Sequence, residues 1–138
     1  MVLEHIPGQV KFLVCVDASE ECKAALKFAC MRAKNSNGLV LILYVIEPND
    51  VQHFAGVEKV MEREANEVAE RVLSELQEET FQEFSIEIEK QIAYGHKYTS
   101  IVNLINEDKT ISILVLGAAL EGKGTNELIN KFSTGLTN

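Results

Sequence analysis

Two runs of almost continuous apolar residues stand out along the chain. Residues 11–16 (KFLVCV) and 39–46 (LVLILYVI) are dominated by aliphatic side chains, a composition typical of strands buried on both faces of a parallel sheet. A similar run, residues 111–116 (ISILVL), follows much later. This pattern predicts three buried strands.

Helical spacing fills the segments between these runs. Ser19 suits an N-cap, and the apolar positions after it recur every three or four residues as far as Asn37 and Gly38, which tolerate left-handed backbone angles. A long acidic helix is predicted from residue 57 to about residue 77, and a short one over residues 98–107. The apolar stripe predicted to bury the long helix consists of Val57, Val60, Met61, Ala65, Val68, Val72 and Leu76.

An alternating pattern predicts one more strand, between the two later helices. Phe84, Ile86, Ile88 and Ile92 are separated by polar residues, which is typical of an edge strand with one wet face, and Gly95 is expected to end it. Strands that alternate with helices predict an α/β fold, with an open, doubly wound parallel sheet, right-handed crossovers and helices on both faces.

The composition limits the classes of protein to consider. With 138 residues, of which 46% are hydrophobic, the chain is expected to form a single domain over residues 1–138. A net charge of -8 disfavours nucleic acids and anionic lipids as partners. Because no apolar run reaches the ~20 residues of a membrane span, and the N-terminal segment MVLEHIPGQV lacks the features of a signal peptide, we expect a cytoplasmic protein with no membrane partner.

The cysteines and histidines form no recognisable metal or disulfide pattern. Cys15, Cys22 and Cys30 lack a CxxC spacing, and the three histidines are scattered far from them. We therefore interpret the cysteines as small core residues in a reducing compartment, and we expect neither a metal site nor a disulfide.

Four segments together resemble the universal stress protein family, which lies within the adenine-nucleotide-binding α/β folds. They are LVCVDASEECKAALKFA, with an aspartate at the end of its strand, LVLILYVIEP, SILVLGA, and YGHKYTSI, in which Gly95 and Ile101 resemble the family's start of its third helix. The resemblance covers almost the whole chain, and it is specific only when the four segments are taken together.

The resemblance implies how the strands are arranged. In proteins similar to this one the strand order is 3-2-1-4-5, so the first and fourth strands are neighbours whose connections leave in opposite directions. Open α/β sheets bind ligands at such a switch point, outside the carboxyl ends of the strands. Asp17 and Gly117 are therefore expected to face each other across a crevice.

The family's fifth strand, which often forms a dimer, has no counterpart before the sequence stops at Asn138. We therefore expect a sheet of order 3-2-1-4 in a domain that lacks its last strand, and we interpret the sequence as ending in an incomplete or partly disordered C-terminus. The resemblance also implies a homodimer.

The resemblance further implies a small-molecule ligand, ATP or a related adenine nucleotide, with or without Mg²⁺. In the nucleotide-binding branch of the family, the aspartate matching Asp17 accepts hydrogen bonds from the nucleoside, and the backbone of the residue matching Val45 reads adenine. A carboxylate suits hydroxyl or amino groups and repels phosphate, which prefers amide donors. The alternative is that Asp17 only helps Ser19 to cap the first helix.

The phosphate loop of that branch matches this sequence less well. The branch carries Gly-x2-Gly-x9-Gly-[Ser/Thr] after the fourth strand, but Leu120 stands three residues after Gly117. Two insertions would put Gly122 at the second glycine, with Gly124 and Lys123 beside it. The alternative for these glycines is a flexible turn, and for the lysine a solvated side chain.

The same insertions affect the end of the motif. They would put Ser133 and Thr134 where the Gly-[Ser/Thr] pair belongs, and Gly135 with Leu136 is the competing register. Both registers depart from the pattern, which weakens the expectation of a phosphate site more than that of a nucleoside site.

Two main functions remain open. One is a cytosolic stress-response protein that binds an adenine nucleotide as a signal or slow substrate; the other is a dimeric interaction protein of the same fold that binds no nucleotide, which the broken glycine spacing favours. Beyond slow ATP hydrolysis no catalysis is expected, because the crevice region lacks a nucleophile with a base and a Walker lysine, and His96 is the nearest candidate base. A phosphate-accepting receiver domain is disfavoured, since IAYGHK after the third strand contains no aspartate.

Overall fold

The computed structural model describes residues 9–17, 19–47 and 58–117, with side chains of the second helix described from Glu62 onward. Strands and helices alternate along this part of the chain. In order, they are β1 (Lys11–Val16), α1 (Glu20–Ser36), β2 (Leu39–Ile46), α2 (Glu58–Phe84), β3 (Glu89–Tyr94), α3 (Lys97–Glu107) and β4 (Ile111–Val115). The predicted positions of β1, β2 and α3 are confirmed to within one residue.

The described strands form one parallel sheet in the order β3-β2-β1-β4. This confirms the expected α/β fold and its order 3-2-1-4. Strand β1 therefore runs between β2 and β4, and its ladder with β2 extends from Lys11 opposite Leu39 to Val16 opposite Tyr44. The register with β4 shifts between Lys11 and Phe12.

Helices cover both faces of this sheet, and alternate residues of β1 contact different helices. Phe12, Val14 and Val16 pack into a core cluster that includes residues of α1 and α2. Leu13 points the other way and packs with Ile101 and other residues of α3. Each fully buried aliphatic side chain of this kind contributes roughly 1.5–3 kcal/mol, so the doubly covered central strands position the carboxyl edge firmly.

The ends of α1 follow the predicted signals. The Ser19 hydroxyl accepts a hydrogen bond from the Cys22 amide at 3.3 Å, as an N-cap does. Asn37 ends the helix in the left-handed region, at φ 55°. Gly38 serves a different purpose from the predicted one, because a Cβ built there would lie 2.6 Å from the Val10 carbonyl oxygen. The close approach of two backbones, not a left-handed turn, requires this glycine.

Helix α2 is longer than predicted, and β3 starts later as a result. The helix continues through Phe84 and ends where Ser85 takes a left-handed φ of 55°. Ile88, predicted to lie in the strand, is buried in the connection before it. Alternating apolar residues at the end of a helix and in a packed connection therefore imitated a strand. The prediction that β3 lies at a sheet edge is confirmed.

The buried stripe of α2 also differs from the predicted one. Val68 is 37% exposed, whereas Ala69 and Leu73 are buried along with Leu76. Because apolar residues cover a wide arc of this helix, the sequence was compatible with more than one rotation of the helix about its axis. In the structure the small side chain of Ala69 faces the sheet, and the larger Val68 is left partly exposed. Val57, Val60 and Met61 lie outside the side chains that the structure describes.

Strand β4 is less buried than predicted. Ile113 is 39% exposed, and within the described residues β4 pairs only with β1. A strand paired on one side keeps part of its surface open, so the continuous apolar run ISILV predicted more burial than the strand has.

An ion cluster around one buried lysine links elements at the amino edge of the sheet. Lys11 is 6% exposed, and its ammonium lies 2.7 Å from Oδ2 of Asp108 and 3.2 Å from Oε2 of Glu89. One lysine therefore links the start of β1 to the start of β3 and to the residue that ends α3. Within the described ranges, no helix is long and apolar enough to cross a membrane.

Candidate functional site

A crevice opens at the carboxyl ends of β1 and β4. Its volume is about 20 Å³, which is room for about one water molecule. The residues that line it are Cys15, Val16, Asp17, Ser19, Cys22, Lys97, Leu116 and Gly117. Asp17 and Gly117 thus border the same crevice, as the strand order implied.

Asp17 is held by the first turn of α1. Its Oδ1 accepts a hydrogen bond from the Ser19 amide at 2.7 Å, and its own amide donates to Sγ of Cys22 at 3.2 Å. The helix-capping alternative for Asp17 is therefore realised in part. Among the described residues, the Asp17 carboxylate accepts this hydrogen bond through Oδ1, and Oδ2 has lone pairs with which to accept one from a ligand.

Gly117 brings the end of β4 against the same helical turn. A Cβ built on it would lie 2.6 Å from the carbonyl oxygen of Glu21 and 2.8 Å from its carbonyl carbon. No side chain fits between these two backbones. The glycine therefore has a packing role at the crevice, whatever else it contacts.

Val45 lies near the end of β2, one position beyond the ladder with β1. That ladder ends at Tyr44 opposite Val16, while on the other side Val45 is still paired with Ala93. Val45 as a whole is 3% exposed, so its side chain and its backbone are both buried at this point of the strand.

Lys97 was not among the residues predicted for this site. It is the first residue of α3 and lines the crevice, with its ammonium 3.6 Å from Oε1 of Glu47. Gly95, at φ 126°, makes the turn that precedes α3, and its amide donates to the Ile46 carbonyl at 3.0 Å. The segment GHK directly after an expected strand was the available signal, since parallel strands all end at the same edge.

The thiols in the crevice carry no charge at neutral pH. Burial raises the pKa of Cys15 to about 11 and that of Cys22 to about 12. Since thiols this weakly acidic stay protonated at pH 7, Asp17 and Lys97 supply the charged side chains of the lining.

The family of the chain follows from its sequence. The sequence profile described as the universal stress protein family matches residues 10–127 of the 138 in the chain. The chain belongs to the universal stress protein family. No curated protein matches the sequence.

Solved structures of this family share the fold. Universal stress protein UspA from Lactobacillus plantarum is similar with a TM-score of 0.69 and 18% identity, over 87% of this chain and 89% of that one. A universal stress protein in complex with cAMP has a TM-score of 0.62 and 20% identity, over 83% and 82% of the two chains. A universal stress protein family protein from Arabidopsis thaliana with AMP bound has a TM-score of 0.56 and 20% identity, over 91% and 86%. At such identities the likeness shows a common fold.

Four residues predicted for the site are not part of the chain that the structure describes, and the candidate base His96 lies away from the crevice. Gly122, Gly124, Ser133 and Thr134 lie outside the residues that the structure describes. His96 is exposed at the start of α3, makes no side-chain cap, and does not line the crevice. Within residues 9–17, 19–47 and 58–117, no three His, Cys, Asp or Glu side chains are grouped to hold a metal ion.

Proposed function

We propose that this universal stress protein binds an adenine nucleotide at the carboxyl edge of β1 and β4, and acts as a homodimer in cytosolic stress response or signalling. The observation that carries the proposal is the position of Asp17 and Gly117 on one crevice at the switch point. The carboxylate of Asp17, a hydrogen-bond acceptor, and the backbone of Gly117 lie at the edge where open α/β sheets bind their ligands.

The nucleoside end of the ligand is assigned to Asp17 and Val45. Oδ2 of Asp17 accepts a hydrogen bond from a ribose hydroxyl or an amino group, while Oδ1 stays with Ser19. The backbone of Val45, beyond the end of the ladder with β1, contacts the adenine ring. Because the crevice holds only about 20 Å³, the nucleotide lies across its mouth rather than inside it.

The phosphate end is assigned to the segment after β4. Gly117 begins this segment, and Gly122, Gly124, Ser133 and Thr134 supply backbone amides and hydroxyls in the proposal. ATP, accompanied by Mg²⁺ at its phosphates, is the expected ligand, and slow hydrolysis is the most catalysis that this residue set supports.

The fold relatives support an adenine nucleotide as the ligand class. One is a universal stress protein in complex with cAMP, and another is a plant family member with AMP bound. These two ligands share the adenosine portion and differ in the phosphate. The nucleoside contacts are therefore the better supported half of the proposal.

A second candidate function is a dimeric interaction protein that binds no nucleotide. Two observations favour it: Oδ1 of Asp17 is already used by Ser19, and the spacing after Gly117 departs from the nucleotide-binding pattern. In that case Asp17 acts only in shaping the start of α1.

The test is to purify the protein without added ligand, denature it, and measure released adenine nucleotide by chromatography. Calorimetric titrations of the ligand-free protein with ATP, AMP, cAMP and adenosine follow, with and without Mg²⁺. A co-purified nucleotide or saturable binding supports the first function. An empty protein that binds none of the four, while forming a stable dimer in sedimentation, supports the second.

A further inference from the structure

Two elements supply the charges of the crevice. Asp17 follows β1 and is tied to α1, whereas Lys97 opens α3, which packs on the opposite face of the sheet. Both side chains line the same small space. A ligand across its mouth therefore meets a carboxylate and an ammonium group at the same time.

The backbone of Lys97 is fixed, but its ammonium group is only loosely held. The hydrogen bond from the Gly95 amide to the Ile46 carbonyl ties the turn before α3 to the end of β2. The ion pair with Glu47 spans 3.6 Å, and the two side chains are 29% and 33% exposed. Partly hydrated pairs of this length contribute little to stability. An anionic ligand can thus take the ammonium group from Glu47.

The two charges have opposite effects on a phosphate. A carboxylate at the crevice repels any anion, and the protonated thiols beside it are neutral. Lys97 is the cation of this lining, and a lysine ammonium binds phosphate oxygens as a point charge. Hydroxyl and amino groups, by contrast, are best received by Asp17. The pair of charges therefore distinguishes the two ends of a nucleotide.

Resting on the proposed function, we infer that Lys97 is a specificity-determining residue that pairs with a phosphate of the bound adenine nucleotide and selects it over the unphosphorylated nucleoside. This interaction comes from the start of α3, and it does not depend on the glycine spacing after β4. It gives a chain with a broken glycine pattern a separate basis for preferring nucleotides over nucleosides.

The test compares AMP with adenosine in calorimetric titrations at low ionic strength, for the parent protein and three variants. Lys97→Met removes the charge and keeps most of the side chain, and Lys97→Arg keeps the charge. Lys23→Met is the matched control, because Lys23 makes a similar long ion pair, 3.9 Å from Glu20 on α1, and does not line the crevice.

We expect Lys97→Met to weaken AMP binding about 10-fold, with adenosine affinity unchanged within twofold. Lys97→Arg should keep most of the parent affinity for AMP, and Lys23→Met should leave that affinity unchanged. Added salt should narrow the difference in AMP affinity between the parent and Lys97→Met. Equal losses for AMP and adenosine, or no loss for either, overturn the inference. A parent protein that binds adenosine as tightly as AMP also overturns it and leaves the proposed function standing. A parent that binds neither AMP nor adenosine overturns the inference, and it overturns the proposed function as well if ATP and cAMP also fail to bind.

Discussion

The amide of Asp17 donates a hydrogen bond to Sγ of Cys22, 3.2 Å away, so a residue of the strand end is tied to the first turn of α1. The Asp17 carboxylate closes the same loop from the other side through the Ser19 amide. Because both bonds are local, the position of this carboxylate at the crevice does not depend on a ligand. Its structural and its proposed binding roles therefore have to be separated by the choice of substitution.

The substitution Asp17→Asn separates the structural role of Asp17 from its proposed role in binding. The asparagine oxygen still accepts from the Ser19 amide, so we expect the free energy of unfolding to change by less than about 0.5 kcal/mol. Loss of the carboxylate charge should weaken adenosine and AMP binding about 10-fold, as expected for a hydrogen bond to a charged group. Titration calorimetry measures the affinities, and urea unfolding measures the free energy of unfolding. The control is Glu67→Gln on the exposed face of α2, and unchanged affinity in Asp17→Asn would reduce Asp17 to a helix-shaping residue.

Gly117→Ala should destabilise the protein. The added Cβ would overlap the Glu21 carbonyl, 2.6 Å from its oxygen, and both neighbours are backbone groups that cannot rotate away. We expect a loss of about 2 kcal/mol and a fall in melting temperature of several degrees. Ser112→Ala, on the exposed part of β4, is the control. A fully stable Gly117→Ala protein would contradict the close packing of β4 against α1.

The ion cluster at the amino edge predicts how stability depends on pH. Burial acts to raise the pKa of Asp108, but hydrogen bonds from Lys11 and Thr110 outweigh it and hold the pKa below its ordinary 3.8. A carboxyl group with a lowered folded-state pKa stabilises the protein above its unfolded-state pKa, and loses this effect as the pH falls through the folded-state value. We therefore expect the stability of the parent protein to fall as the pH drops below about 5 and through the folded-state pKa of Asp108.

In Asp108→Asn, the free energy of unfolding measured by urea should lack the part of its fall at acid pH that comes from this carboxyl group. Glu107→Gln, which changes a neighbouring exposed carboxylate, should keep it.

At high pH, the contribution of this cluster to stability is lost as the pH rises rather than as it falls. Burial lowers the pKa of Lys11, but the bonds to Asp108 and Glu89 raise it above its ordinary 10.5 overall. Its contribution is thus complete below pH 10.5 and is lost only as the pH rises through the higher folded-state value. Parallel acid profiles for the parent and Asp108→Asn would contradict the assigned contribution.

The three cysteines should react slowly in the native protein. All of them are free thiols, and burial raises the pKa of Cys15 to about 11 and of Cys22 and Cys30 to about 12. Since the thiolate is the reactive form, alkylation at pH 7.5 should be at least ~100-fold slower than for a small free thiol. All three should react rapidly in denaturant. A single fast-reacting thiol in the native state would contradict the burial of its side chain.

The parts of the fold that were predictable depend on local signals. Strand β1, the Ser19 cap and the left-handed Asn37 each follow from a few consecutive residues. The start of β3 was misplaced because the apolar residues from Phe84 to Ile88 alternate like a strand, although the helix hydrogen bonds continue through the first of them. Only packing against the sheet decides between these two conformations.

The site was predictable to a similar degree. Asp17 stands at a strand end in the sequence, and the family resemblance supplied its place beside Gly117. Lys97 could not be recognised in the same way, because its presence in the crevice depends on the Gly95 turn and on α3 lying across the sheet from α1. Likewise, the bond between Asp17 and Cys22 joins residues whose spacing in sequence implies no contact.

The contact of Gly117 with Glu21 has a mechanical consequence for the crevice. Two backbones approach each other there without an intervening side chain, so a change of side-chain rotamer cannot widen the space between β4 and the start of α1. Lys97, which lines the same crevice, instead has a flexible side chain of four methylene groups. Among the described residues, adjustment to a ligand at the proposed site would therefore fall to the Lys97 side chain rather than to this backbone contact.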